Sequence, residues 1–250
     1  MRVFTTLTRR ELAAYFLSFS GYVIIAAAAV LMGSCLVTLI DMLTMQTVPM
    51  PLNELFFGTW YPWLVLIPVA PLISMRVFAL EKSSGTYETL MTAPVRDGHV
   101  VMAKFTAAMI FYMILWLPLL GSLMTIQHFS VNPPPLDFGA LASTYLGLLL
   151  VGGMFLSFGC FASSLTQNQA IAAIIAFAFN LGVVLLAGAI DGLRTRFGLA
   201  GSLADCLAFT GQMQDFARGI VDTRAIVTFT TLTAFFLFLT LRVVESRRWK

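Results

Sequence analysis

The chain has 250 residues, 59% of them apolar and only 11% charged, with a formal net charge of +3. Soluble domains carry about a quarter charged residues, so this composition excludes an ordinary soluble enzyme and indicates an integral membrane protein. The small basic excess reads as loop orientation, and no interleaved basic and aromatic patch points to nucleic acid.

Residues 1–19 come first and are mixed. As a helix they bring Phe4, Leu12, Tyr15, Phe16 and Phe19 onto one face, away from Arg10 and Glu11. That pattern suits an amphipathic helix lying at the membrane surface; an extension of the first span is the alternative. No charge occurs from Leu12 to Ile40. A secretory signal core is shorter, about 7–15 residues, with its small residues after the core. The run therefore reads as an uncleaved span.

A membrane-crossing helix needs about 20 mostly apolar residues. The gaps between charges predict an all-α membrane protein with spans at about 21–41, 59–79, 100–127, 140–162, 170–190 and 223–244, forming a single transmembrane domain over 1–250. Between the first two spans lie Pro49, Pro51 and Asn53, with no Lys or Arg. Span two carries Pro62, Pro68 and Pro71, each of which removes a backbone donor. The three predict a bent or hinged helix, or a static kink.

The stretch from Ala79 to Lys104 holds Glu81, Lys82, Glu88, Arg96, Asp97 and Lys104 between two apolar segments. Ser83, Ser84 and Gly85 are suited to start a short helix. Thr86 to Thr92 is long enough for two turns, and Pro94 ends it by pushing Ala93 off the helical region. Arg96-Asp97-Gly98 is a turn signal, after which span three begins near Val100, with Lys104 at its wet end and Pro118 inside. Glu81 and Glu88 are placed to pair with basic groups of a partner or with Arg76 and Lys82 nearby; a plain solvated loop face is the alternative.

Residues 128–139 contain the stiff Asn132-Pro133-Pro134-Pro135 loop. From Phe138 to Ile190 no charge occurs, enough for two spans, with the polar run Ser163 to Gln169 between them. Small residues in both, such as Gly147, Gly152, Gly159 and Gly182, suit close helix packing. Residues 191–222 mix charge, glycine and scattered apolar residues and read as short amphipathic helices at the interface. Span six and the tail Glu245-Ser246-Arg247-Arg248-Trp249-Lys250 follow.

Six spans put both termini on one side. Of the 15 basic residues, 11 fall on that side and Arg194, Arg196, Arg218 and Arg224 on the other. The positive-inside rule then makes the termini and the Ala79–Lys104 stretch cytoplasmic.

Several chemistries lack their residues. There is no G-x-x-x-x-G-K-[ST] phosphate loop and no H-E-x-x-H motif. His99 and His128 lie at opposite membrane edges. Cys35, Cys160 and Cys206 are widely separated and read as apolar filler rather than metal ligands. Ion-coupled transporters carry ionisable groups within their spans, and the span centres here have none. Asn180 reads as a helix-to-helix hydrogen bond.

The run Arg76-Val77-Phe78-Ala79-Leu80-Glu81-Lys82-Ser83-Ser84-Gly85-Thr86-Tyr87-Glu88-Thr89-Leu90, with Pro94 and Lys104-Phe105 beyond it, resembles the permease subunits of ABC-2 type exporters. The nearest likeness is to the gliding-motility-associated branch, itself similar to the permease of nitrous-oxide-reductase maturation. Arg10-Glu11-Leu12 with Tyr15-Phe16 and Gly21-Tyr22 resembles that branch's N-terminal segment. Residues Phe216 to Asp222 and the Glu245–Trp249 tail resemble its C-terminal end. Leu80 and Ala103 depart from the pattern, standing where members often carry an acid and a glycine.

The resemblance implies a half-transporter of the inner membrane without its own nucleotide site. ATP and Mg would belong to a separate P-loop ATPase subunit, and a second permease chain would complete the unit. It implies an amphipathic N-terminal helix bearing Arg10, Glu11, Tyr15 and Phe16. It implies a cytoplasmic coupling helix over Thr86–Thr92, with Glu81, Gly85, Thr86, Glu88, Leu90, Thr92 and Pro94 as the ATPase-coupling residues. It implies outward re-entrant helices before span six, with Phe216, Arg218, Gly219 and Asp222. The implied protein binds lipid and no nucleic acid. A non-transporting membrane anchor and a secondary transporter are the competing functions.

Overall fold

The computed structural model describes residues 2–45, 52–86, 96–129, 137–197 and 209–248. Among these the chain is helical throughout, with no strand. The helices are α1 (Arg2–Phe16), α2 (Phe19–Met45), α3 (Leu52–Gly58), α4 (Tyr61–Ser74), α5 (Ala79–Ser83), α6 (Asp97–Leu115), α7 (Leu117–Phe129), α8 (Phe138–Leu165), α9 (Gln169–Phe197), α10 (Phe209–Ala217) and α11 (Thr223–Arg248).

Six stretches are long and apolar enough to cross a membrane: Phe19–Asp41, Pro62–Ser83, Asp97–Phe129, Phe138–Leu165, Gln169–Ile190 and Thr223–Ser246. Two of them are interrupted. Span two breaks at residues 75–78, between α4 and α5. Pro68 and Pro71 lie inside α4, so the break falls after the prolines and not at them. Span three breaks at Trp116, two residues before Pro118, which sits in the first turn of α7, where its missing N–H costs nothing.

α8 is the central helix. It packs against α11, α9, α4, α6 and α10, and its small residues allow this. A Cβ on Gly152 would lie 2.2 Å from Cε1 of Tyr112, and one on Gly159 would lie 2.0 Å from Oγ of Ser74. Neighbouring side chains thus fill the space that any larger residue would need. The core around α8 includes Trp116, Tyr112, Phe111, Phe155, Phe216 and Phe229, all fully buried. Buried Asn180 donates to the Ile67 carbonyl at 3.4 Å, tying α9 to α4.

α2, α9 and α11 lie at the periphery. Val30, Ile174 and Val227 are exposed on them. Apolar faces of this extent are a liability in water and the expected surface in lipid. The protein is a multi-pass membrane protein.

One sequence expectation gains detail and another is corrected. Ser83, Ser84 and Gly85 end α5, and helical backbone resumes at Thr86. Ser84 caps α5, its amide bonding the Leu80 carbonyl, and Gly85 follows with φ of +75°, the left-handed stop that glycine adopts most readily. Residues 191–222 are not all short interfacial helices, because α9 continues through the first of them to Phe197.

Candidate functional site

The polar stretch after span two begins on α5, and α5 is held by charge. Nζ of Lys104 lies 2.8 Å from Oε1 of Glu81 and 3.2 Å from Oε2 of Glu11. Nη2 of Arg10 reaches Oε1 of both glutamates, at 3.2 and 3.4 Å. Two cations and two carboxylates alternate, so the cluster is neutral. It joins three helices that are remote in sequence: α1 through Arg10 and Glu11, α5 through Glu81, and α6 through Lys104.

Lys104 is not at a wet end, as expected, but only 4% exposed. It lies two turns into α6, and its ammonium faces the Phe78 ring at 5.6 Å. A buried ammonium is tolerated only when paired and hydrogen-bonded, and here two carboxylates supply that. Glu81 was expected to meet a partner protein, Arg76 or Lys82; it meets Lys104 and Arg10. Its second oxygen, Oε2, is buried without a hydrogen-bond partner.

The apolar face of α1 turns toward the protein. Tyr15 stacks on Phe111 of α6 at 4.9 Å, and Phe16 meets the same ring edge-on at 5.3 Å. Phe19 remains exposed. The Tyr15 hydroxyl donates to the Ile73 carbonyl at 3.2 Å. That carbonyl belongs to the last turn of α4, where acceptors have no partner within the helix. Burial pushes the Tyr15 phenol far above its usual range, with Cys160 and Glu11 adding to the rise and Arg76 opposing it. Tyr15 is therefore a neutral donor at every physiological pH. Arg76, in the turn of span two, donates to Ser18 at 2.6 Å and also to Ser20, fixing the corner between α1 and α2.

Of the expected coupling residues, Glu81, Gly85 and Thr86 are described. Thr86 shares a 2.9 Å hydroxyl contact with Ser84. Glu88, Leu90, Thr92 and Pro94 lie outside the described residues.

At the opposite end of the bundle a second polar group forms. Nε of Arg218 lies 2.7 Å from Oε1 of Glu54 on α3. Phe216 and Met213 of α10 fill the space beside Gly147, and Ser143 donates to the Phe216 carbonyl at 2.6 Å. Gly219, with φ of +90°, stops α10: its amide reaches the Phe216 carbonyl and the Ile220 amide reaches that of Asp215, the paired bonds of a glycine-terminated helix. Asp222 accepts the Arg224 amide at 2.9 Å and caps α11. Burial raises the Asp215 carboxyl, against a lowering by Arg218 and with a further rise from Asp222.

Three participants escaped sequence reasoning: Lys104 as a buried anchor, Glu54 as the partner of Arg218, and Ser163, which bonds the broken backbone of span two. For Lys104 a signal existed. A lone cation two turns inside an apolar helix needs a carboxylate.

A broken second span, a polar segment leaving it, and an N-terminal helix clamped beside it belong to a multi-pass helical membrane protein. The chain belongs to the ABC-2 family: residues 14–193 match the family described as ABC-2 family transporter protein. It is thus the membrane component of an ABC-2 transporter, a kind of chain that typically lacks a nucleotide-binding site and generally pairs with an ATPase subunit. A search of curated proteins finds no match.

Proposed function

We propose that this chain is the permease subunit of an ATP-driven exporter, coupled to a separate P-loop ATPase through the segment that leaves span two. The supporting observation is the four-charge cluster. A push delivered to residues 86–95 reaches α5 first. Through Glu81 it passes to Lys104 on α6 and Glu11 on α1. A rigid, neutral clamp at the root of the segment moves three helices together where a flexible loop would move none.

In this reading Thr86–Thr92 is the coupling helix, and Gly85, Thr86, Glu88, Leu90, Thr92 and Pro94 shape the contact. Glu81 works inward and holds the root. ATP and Mg bind the partner ATPase. Both termini face the cytoplasm of the inner membrane, by the basic-residue count. Two permeases, identical or different, complete the unit. Residues Phe216, Arg218, Gly219 and Asp222 belong to its outward end. The likeness to the gliding-motility and nitrous-oxide-reductase branch rests on the sequence runs alone.

The test is co-purification of the tagged chain with a P-loop ATPase from its own cells. ATP hydrolysis by the pair is then compared with that of the ATPase alone. The chain itself is expected to hydrolyse no ATP, and the pair to hydrolyse it at a different rate from the free ATPase. G85A with E88Q is expected to abolish that difference while both subunits still co-purify. A chain that binds no ATPase, or that transports alone in liposomes, would sink the proposal.

A further inference from the structure

The break in span two has an unusual partner. In an unbroken helix the amides of Phe78 and Ala79 would donate to the carbonyls of Ser74 and Met75. Here both point to one side chain from another helix, the hydroxyl of Ser163, at 3.1 and 3.0 Å. The same hydroxyl donates to the Met75 carbonyl at 3.1 Å. A serine hydroxyl has one hydrogen to donate and two lone pairs to accept with, so Ser163 is saturated by this break and fully buried against it.

Two further contacts bring the end of α8 to the same place. Ser74 occupies the space beside Gly159, one turn before Ser163. The Lys82 ammonium donates to the Ser164 carbonyl. α5 is therefore held by α8 through Ser163 and Ser164, and by α1 and α6 through Glu81. α4 is held by α2, α9 and α8 itself, so what distinguishes α5 is the charge cluster to α1 and α6 and its bonds to Ser163 and Ser164.

The arrangement has a counterpart with the same number of hydrogen bonds. If α4 and α5 joined into one helix, Phe78 and Ala79 would bond Ser74 and Met75, and the Ser163 hydroxyl would turn to a carbonyl of its own preceding turn, as mid-helix serines do. At these groups three bonds are exchanged for three, and such re-satisfaction of freed backbone groups is what lets a helix break inside a membrane.

We propose that Ser163 is the positioning residue of a hinge in span two, holding α5 apart from α4 so that the coupling segment moves with the charge cluster that joins α5 to α1 and α6. This rests on the coupling role proposed above for residues 86–95. The hinge itself is testable without it.

Spin labels on exposed Leu64 of α4 and Ser83 of α5, in full-length chain lacking Cys35, Cys160 and Cys206 and held in lipid nanodiscs, measure the break. A continuous helix would separate these positions by about 28 Å, at 1.5 Å per residue. With Ser163 present a shorter distance is expected. S163A is expected to shift the distribution toward about 28 Å, and S163T, which keeps the hydroxyl, to stay with the wild type. Labels on Val37 and Val227 report an intact bundle; should S163A disturb them, S163G, which also removes the hydroxyl and adds no bulk, decides. An unchanged Leu64–Ser83 distance in the variant that leaves the bundle intact overturns the hinge. Repeating the measurement in the complex with the ATPase, with and without ATP, separates the two proposals. A nucleotide-dependent shift supports both. A Ser163 effect with no nucleotide response supports the hinge and counts against coupling through this segment.

Discussion

Lys104 on α6 and Glu81 on α5 meet at 2.8 Å in a site where the lysine is almost wholly buried, so the root of the polar segment is fixed to span three by a bond that water scarcely reaches. A buried pair of this kind is weak as a source of net stability and strong as a constraint. Replacing both ions by apolar groups is often neutral, whereas removing one strands the other.

Single variants at this pair are therefore expected to be costly and the double variant less so. K104M should leave Glu81 and Glu11 with only the exposed Arg10 between them and lower stability by up to about 3 kcal/mol, the low end of the cost of breaking a buried pair. E81Q should cost less, because Glu11 still pairs with the lysine. E81Q with K104M should recover part of the loss. Thermal unfolding of the full chain in detergent measures all three, and additive losses would show that the two residues do not interact.

Tyr15 should contribute an alkaline dependence. Its phenol titrates far higher when folded than the usual value near 10. The unfolded chain therefore loses this proton first, and the contribution of Tyr15, fully present below about pH 10, falls as pH rises beyond it. Y15F removes the bond to the Ile73 carbonyl, at about 1 kcal/mol near neutral pH, and should flatten that alkaline decline. Unfolding midpoints of the two proteins from pH 8 to 11 test this.

Gly152 and Gly159 of α8 should tolerate no side chain. G152A meets the Tyr112 ring and G159A meets Ser74. Overpacking of this kind costs about 1–3 kcal/mol. G182A on α9, where a Cβ meets nothing within 4 Å, should be silent in the isolated chain. Comparing the three by thermal unfolding tests whether α8 is the packing centre.

At the opposite end, G219A should lower stability by about 1 kcal/mol through its left-handed backbone. Reversing the nearby charges, E54R with R218E, should restore most of what either change removes. Proteolysis of the 209–222 region reads both effects, and no rescue by the reversal would mean that Arg218 and Glu54 do not hold each other.

The six long apolar helices were legible because a charge is expensive in lipid, so gaps between charges mark the spans directly. Asn180 as a bridge between helices was also legible, and it bonds the Ile67 carbonyl of α4. What escaped depends on partners distant in the chain. The prolines of span two indicated a bend, but its place was decided by a hydroxyl 85 residues away. Lys104 showed that it needed a carboxylate without showing which. The apolar face of α1 suited lipid and the Phe111 ring equally well, and only the packing of α6 separates those readings.

The separation along the chain of the paired charges also has a consequence for how the protein is made. For the two bases that come late in the chain the acid precedes the base: Glu11 and Glu81 come before Lys104, and Glu54 before Arg218. At about 5–20 residues per second, the 23 residues from Glu81 to Lys104 take roughly one to five seconds to synthesise. When the ribosome delivers Lys104 toward the bilayer, the carboxylates that neutralise it have already been made, so span three can enter the membrane with its charge met on arrival.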